Sequence, residues 1–275
     1  MVTYSNFRKL SFLIIILGDY MLLLSIVMPL YNEERLLSRC LESIEKQINP
    51  NFEVIMVNDA STDNTVAVAQ SFIKNNPNFR LVNQPKNQGI SAARNRGIKE
   101  ARGQLITFLD GDDWLEPQYT DYFLQSFKNY SIDMAVCGYF KESQHGTIKV
   151  WGKHVQGLIN RTEIIRHITK ISGQVMGYTW NKVYRLALIK QNNLKFESDL
   201  SLMEDQVFNV QYATVAQNFY VQPQPLYHYW QHVRSATHTY DLENAKSIGL
   251  ANYRIVKTLL DVKTNTSEKE EQAND

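Results

Sequence analysis

The chain is expected to fold as an α/β protein, with a Rossmann-like, doubly wound, mostly parallel sheet and helices on both faces. Three observations lead there. Apolar runs of strand length alternate with stretches of helical spacing from residue 22 to about 140. The first run, Leu24–Met28, is apolar on both faces apart from Ser25, as in a strand buried on both faces. Acidic words stand at or just past the ends of three runs, MPLYNEE (28–34), VNDAS (57–61) and FLDGDDW (108–114). Ligands bind at that edge in an open α/β sheet.

Each element has its own signal. After the first strand, Asn32 and the acidic pair Glu33-Glu34 suit a helix start. Leu36, Leu37, Cys40, Leu41 and Ile44 then recur at helical spacing. Phe52–Val57 reads as the second strand. Ser61-Thr62-Asp63-Asn64 supplies caps for a helix that turns Val66, Ala69, Phe72 and Ile73 inward. Asn75–Asn78 is a turn, and Phe79–Val82 a short third strand. Gly89 precedes a helix over Ser91–Ala101, which Gly103 closes. Leu105–Leu109 is the fourth strand and runs straight into the Asp cluster. Pro117 opens a helix carrying Tyr122, Phe123 and Phe127, and Ile132–Tyr139 is another strand.

The second half is looser. Residues 141–177 are polar and read as loops and short strands. Trp180–Gln191 and Met203–Ala216 read as helices, Phe219–Val221 as a strand, and Pro223/Pro225 as a turn. Asn244–Leu260 is an amphipathic helix, and the polar 263–275 a disordered tail. Residues 22–240 form the expected domain, with a nucleotide-binding half (22–140) and an acceptor-side half (141–240).

Composition bounds the function. The 275 residues are 44% hydrophobic and 21% charged, with a formal net charge of +1, so no overall field draws the chain to nucleic acid. Cys40 and Cys137 are the only cysteines, lack metal-type spacing, and read as core thiols. Residues 10–28 are apolar, but Gly18-Asp19 interrupts them and the stretch from Leu22 is needed for the first strand. Residues 1–21 are therefore read as a dispensable extension or a mis-assigned start at Met21. A short membrane-associating segment is the alternative. No Gly-x-Gly-x-x-Gly follows strand one and there is no Walker lysine loop, which argues against dehydrogenases and P-loop ATPases.

The acidic words carry chemistry when taken together. Tyr31, at a sharp strand-to-helix turn, offers a ring for a base. Asp59 can accept a hydrogen bond from an imide N–H, or simply cap the next helix. Asp110 and Asp112 lie on one side of an extended stretch, with Gly111 between them. They suit a divalent ion that offsets a departing diphosphate, and hard oxygen ligands favour Mg²⁺ or Mn²⁺. A solvated acidic turn is the simpler alternative, but three carboxylates delivered by a buried strand need a counter-cation. Glu204-Asp205, in MEDQVF (203–208), sets acids at a helix start. There they serve the helix dipole or act as a base toward a hydroxyl. His228, His232 and Arg234 lie in an aromatic segment. They would close over a diphosphate or complete a metal shell, or else merely decorate a surface strand.

In order and at ordinary spacing, SIVMPLYNEE, FEVIMVNDASTDNT, NQGISAARNRGI, FLDGDDWLEP, WNKVYR and EDQVF resemble family 2 glycosyltransferases of the GT-A fold, of the bacterial surface-polysaccharide type. The resemblance covers about residues 22–240. It implies that Pro29, Tyr31, Glu33 and Asp59 hold a nucleotide, most often uridine, with Arg94 near base or phosphate. It implies a DxD motif in which Asp112 is the chief metal ligand and Asp110 sits nearer the ribose; His232 of the aromatic segment is, by its residue type, a further candidate ligand. Asp205 becomes the catalytic base with Glu204 beside it. Trp180 and Lys182 line the sugar or acceptor pocket, with Asp113 and Arg234 also on that side. Asn58 stands where the family often has a second Asp. The Gln-x-x-Arg-Trp word and membrane helices of processive synthases are missing, so one sugar per acceptor is expected.

The implied activity is inverting transfer from a UDP-sugar to a hydroxyl of an oligosaccharide or lipid-linked glycan, in the cytoplasm at the inner membrane face with peripheral membrane association. Transfer to a polyprenyl phosphate and an inactive nucleotide-sugar-binding protein are the alternatives.

Overall fold

A computed structural model describes residues 23–150, 155–170, 175–231 and 242–272, with 262–272 as backbone only. Among the described residues, one ten-stranded sheet runs through both halves of the chain. Its first half follows the expected alternation: β1 (Leu24–Leu30), α1 (Leu37–Glu45), β2 (Phe52–Asn58), α2 (Thr65–Ile73), β3 (Phe79–Asn83), α3 (Ile90–Glu100) and β4 (Leu105–Phe108). Next come β5 (Trp114–Leu115), α4 (Tyr119–Asn129), β6 (Met134–Ser143), β7 (Gly146–Val150), β8 (Gly157–Ile159) and α5 (Arg161–Ile168). The chain closes with β9 (Lys182–Arg185), α6 (Leu186–Gln191), α7 (Glu204–Val215), β10 (Phe219–Trp230) and α8 (Leu242–Gln272).

The strand order is β3-β2-β1-β4-β9-β6-β10-β5, with β7 on β6 and β8 on β10. The β3-β2-β1-β4 block is parallel. All four strands therefore end at one edge, and the acidic words collect there. β9 is antiparallel to both β4 and β6. Its N-terminal end thus reaches the same edge and delivers the loop that precedes it.

Alternation along β1 divides the core. Ile26 and Met28 pack with Leu37, Cys40, Leu41 and Ile44 of α1 on one face. Val27 points the other way, to Ala93 and Ile98 of α3 and the helices of the second half. Gly97 makes the α3 contact close, since a Cβ there would lie 2.1 Å from Val27 Cγ1. Cys40 and Cys137 are free and buried, as expected of core thiols.

Four local readings are corrected. Trp180–Gln191 is not one helix: Lys182–Arg185 is inserted into the sheet between β4 and β6, a long-range pairing that outweighs helical spacing. Pro223 and Pro225 do not end the strand after Val221. β10 continues to Trp230 and absorbs them at register shifts between Val221 and Tyr227, where the missing N–H is tolerated. On α2 it is Val68, not Val66, that packs inward with Phe72 and Ile73. The helix α8 runs on through Gln272, across most of the stretch read as a tail. It is anchored by Ala251 and Ile255 in the core and by the Ser247 hydroxyl, which accepts from the Ser201 and Leu202 amides at 3.0 Å each.

The helix α5 falls within the stretch read as loops. Its signal was present, because Asn160 and Glu163 form a reciprocal capping box.

Candidate active site

The nucleotide-side residues meet at the ends of β1 and β2. Tyr31 follows β1 and is 47% exposed, so its ring is available to a ligand. Pro29 is buried inside β1, so its ring is a packing element. Asp59 is buried and fastens the β3–α3 connection. Its Oδ1 accepts from Gln84 Nε2 at 2.7 Å and from the Gln88 amide at 2.8 Å, and its Oδ2 accepts from the Gly89 amide at 2.7 Å. Three donors leave a carboxylate room for about one more. Asn32 and Ala60, beside these residues, hold left-handed φ of 57° and 58°. Such backbone strain gathers at functional sites.

The carboxylate loop follows β4. Asp110 is a quarter exposed, and its Oδ1 accepts from Arg94 Nη2 at 3.2 Å. A Cβ on Gly111 would come within 2.9 Å of Leu30 Cδ2 and 3.2 Å of Glu33 Cγ, so only glycine lets the loop lie against β1. Asp112 is half-buried, and its backbone carbonyl accepts from Arg39 Nη2 at 2.7 Å. Asp113 is fully buried. It accepts from the Tyr227 hydroxyl and from the Trp230 amide at 2.7 Å. Its expected place on the acceptor side is therefore corrected: both oxygens are committed to β10.

The base candidates enter from the other half. Met203 holds a left-handed φ of 67° immediately before α7, which starts at Glu204. Arg94, on α3, is 2% exposed. Its Nη1 donates to Glu204 Oε1 at 2.9 Å and to Asp205 Oδ1 at 2.7 Å. Arg94 therefore joins α7 to the Asp110 loop. Burial alone would lower its pKa, but Asp205, Asp110 and Glu204 outweigh that and keep it charged. On its second oxygen Asp205 accepts from the Thr179 amide at 3.1 Å and the Thr179 hydroxyl at 3.0 Å.

Trp180 and Lys182 do not line a pocket. Lys182 is fully buried, and its ammonium donates to the carbonyls of Val175 and Tyr178 and to Asn181 Oδ1. Burial lowers its pKa to about 7. Trp180 is 3% exposed, stacked between Tyr178 and Tyr227 at 4.7 and 4.4 Å. Both residues brace the 175–179 loop that presents Thr179 to Asp205. Asn209 Nδ2 adds bonds of 2.7 Å to the Gly177 carbonyl and 2.9 Å to the Asp205 carbonyl. Thr179 and Asn209 carry no sequence signal of their own. His232 and Arg234 lie outside the described residues.

Negative charge is in excess here. Burial, with Asp112, Asp110 and Asp63 nearby, raises the Glu33 pKa to about 8. Burial and Asp205 raise Glu204 to about 7, against the pull of Arg94. Burial, with Asp112 and Asp205, raises Asp110 to about 6 despite Arg94. For Glu33 the folded pKa exceeds the ordinary glutamate value of 4.5, so its charge opposes folding above about pH 8 and the penalty fades toward pH 4.5. Glu33→Gln is accordingly expected to raise the melting temperature at pH 8.5 and to change it little at pH 5. Equal shifts at both pH values would contradict this.

Among the described residues, no group of three or more His, Cys, Asp or Glu converges as a ready-made metal cage. The donor set at the loop nevertheless fits a hard divalent cation. It offers carboxylate oxygens alone, and their mutual repulsion is only partly met by Arg94.

Parallel strands ending on a nucleotide-side turn, a carboxylate loop and an acidic helix start define a glycosyltransferase of the GT-A type. The comparisons make the assignment particular: a model of glycosyl transferase family 2 matches residues 25–192, and the chain belongs to that family. It is 33% identical over 236 residues to EpsH of Bacillus subtilis (strain 168), which carries a glycosyltransferase name; the match covers 83% of this chain and 66% of that protein. It is 27% identical over 216 residues to the poly(ribitol-phosphate) beta-N-acetylglucosaminyltransferase TarS of Staphylococcus aureus, covering 76% of this chain and 35% of that protein. The crystal structure of S. aureus TarS 1-349 in complex with UDP-GlcNAc superposes with a TM-score of 0.72 at 23% identity, over 84% of this chain and 66% of that one. The chain thus spans about two thirds or less of the length of these relatives.

Proposed function

We propose that the protein transfers a sugar from a UDP-sugar, with inversion, to a hydroxyl of a lipid-linked or oligosaccharide glycan in cell-surface polysaccharide synthesis. The observation that carries this is the Arg94 bridge, which holds Asp205 and Glu204 of α7 against Asp110 of the β4 loop. A base for the incoming hydroxyl and carboxylates for the leaving diphosphate then stand on two sides of one point.

In this reading the Tyr31 ring stacks on the uracil, and the remaining acceptor position of Asp59 takes the imide N–H. Asp205 takes the proton of the acceptor hydroxyl as it attacks the anomeric carbon from the face opposite the diphosphate. Arg94 and Thr179 hold the Asp205 carboxylate in place for that transfer. Asp112, with Asp110, would hold Mn²⁺ or Mg²⁺, which supplies positive charge toward the departing diphosphate.

Support for the donor comes from TarS, whose solved structures contain UDP-GlcNAc and UDP. Support for a metal comes from the Pyrobaculum calidifontis mannosyltransferase PcManGT in complex with GDP-Man and Mn²⁺, at a TM-score of 0.58. Support for a polymeric acceptor comes from two relatives that are poly(ribitol-phosphate) glycosyltransferases. No helix among the described residues is long and apolar enough to cross a membrane. We place the enzyme at the inner membrane face because a lipid-linked acceptor would be met there.

The test is UDP release from a panel of UDP-sugars with Mn²⁺ or Mg²⁺. At least one sugar should give release that EDTA abolishes. No release from any of them would overturn the reading.

A further inference from the structure

A cluster outside the assigned groups abuts the carboxylate loop. Arg39, on α1, sets its guanidinium 3.7 Å from the centre of the Trp114 ring and 5.1 Å from that of Trp230. Its Nη2 holds the Asp112 carbonyl, while its Nε is buried without a hydrogen-bond partner. The His228 ring also stacks on Trp114, with centroids 4.8 Å and planes 12° apart. Two groups this close cannot share one face of an indole, so His228 takes the face away from Arg39. Phe140 covers the far side of His228 at 4.5 Å and 18°.

His228 is gripped at both edges. Its Nδ1 lies 2.7 Å from Glu142 Oε1 and its Nε2 2.9 Å from Glu116 Oε1. The two contacts, from opposite edges, fix the ring in its plane. The column reads guanidinium, indole, imidazole, phenyl, with the one guanidinium set on the indole face. Its centre, Trp114, is the residue after Asp113. Trp114 belongs to a strand of two residues, too short to define its own position.

We propose that Arg39 and His228 are positioning residues of the donor site: the column fixes Trp114, and Arg39 fixes the Asp112 carbonyl, so that the Asp110–Asp113 loop meets the nucleotide diphosphate in one geometry. The proposal rests on the UDP-sugar reading above. Neither side chain touches the reacting atoms.

The test uses the full chain carrying Arg39→Met, with Arg39→Lys as the conservative variant. UDP affinity is measured calorimetrically with Mn²⁺, and amide hydrogen exchange is followed over residues 109–115 in the ligand-free protein. Loss of support around a ligand shell typically weakens metal-linked affinity about 10–100-fold. Arg39→Met should weaken UDP binding to that extent and change kcat at saturating donor much less. Exchange should accelerate in 109–115 alone, and Arg39→Lys should recover part of both effects. Unchanged affinity and exchange, or acceleration spread through the whole sheet, overturns the proposal. If the wild-type protein binds no UDP, the donor reading fails, and exchange alone decides: faster in 109–115 upholds positioning, unchanged overturns it. Should Arg39→Met not fold, His228→Gln, which loses the stacked ring but keeps hydrogen bonding, is judged by the same outcomes.

Discussion

Asp205→Asn is expected to lower sugar transfer about 10²–10⁴-fold, the usual contribution of a positioned general base. UDP affinity should remain as in the wild type. The amide matches the carboxylate in size, so the change removes basicity with little loss of volume. Its single oxygen can still accept from the Thr179 amide and hydroxyl, now at 3.1 and 3.0 Å from Oδ2. Its NH₂ then faces Arg94 Nη1, donor against donor, but Arg94 keeps its bonds to Glu204 and Asp110. The rest of the site should therefore stand. Glu204→Gln is the informative companion, because Glu204 shares Arg94 without contacting Thr179. Transfer within tenfold of wild type in Asp205→Asn would move the base elsewhere, or mark an acceptor that is already an anion, such as a polyprenyl phosphate.

Arg94→Met is expected to destabilise the fold by about 3–5 kcal/mol near neutral pH, as when one partner of a buried ion pair is removed. Methionine keeps much of the volume, so the deficit is mainly electrostatic. Three carboxylates from two separate elements would face one another with no cation between them. The sign of the pH dependence follows. Without the arginine, the folded-state pKa values of Asp110 and Glu204 rise above the wild-type values of about 6 and 7. A carboxylate with a raised folded pKa opposes folding at high pH and ceases to do so once protonated. The gap between variant and wild type should therefore be wide at pH 8 and narrow toward pH 5. Urea unfolding at the two pH values measures it. A gap independent of pH would show that Arg94 matters for packing alone.

The parallel half of the fold could be read from sequence because its signals are local. Leu24–Leu30 is apolar but for Ser25; Leu37, Cys40, Leu41 and Ile44 keep helical spacing, and each acidic word follows its strand. The second half depends on distant partners. Lys182–Arg185 is a strand only because β4 and β6 lie on either side of it, more than forty residues away in sequence. The words of the site were visible, but their division of labour was not. Asp110, Asp112 and Asp113 look alike in sequence, and only the Tyr227 hydroxyl and Trp230 amide single out Asp113 as structural. The same limit applies to Arg94. Its helix was read correctly, but its partners lie 110 and 111 residues further along the chain.

Cys40 has a consequence of its own. Its sulfur lies 3.6 Å from the Asp110 carbonyl, directly beneath the carboxylate loop, and burial with Asp113, Asp112 and Asp110 nearby holds its pKa well above the ordinary thiol range. A thiol in that state is inert to alkylating reagents. Modification at Cys40 must wait for the loop to lift, so under weak reagent its rate is the opening equilibrium multiplied by the chemistry of a free thiol. The chain thus carries its own clock for the breathing of its donor site. A ligand that bridges the loop should slow that clock in proportion to its occupancy, whichever sugar it carries.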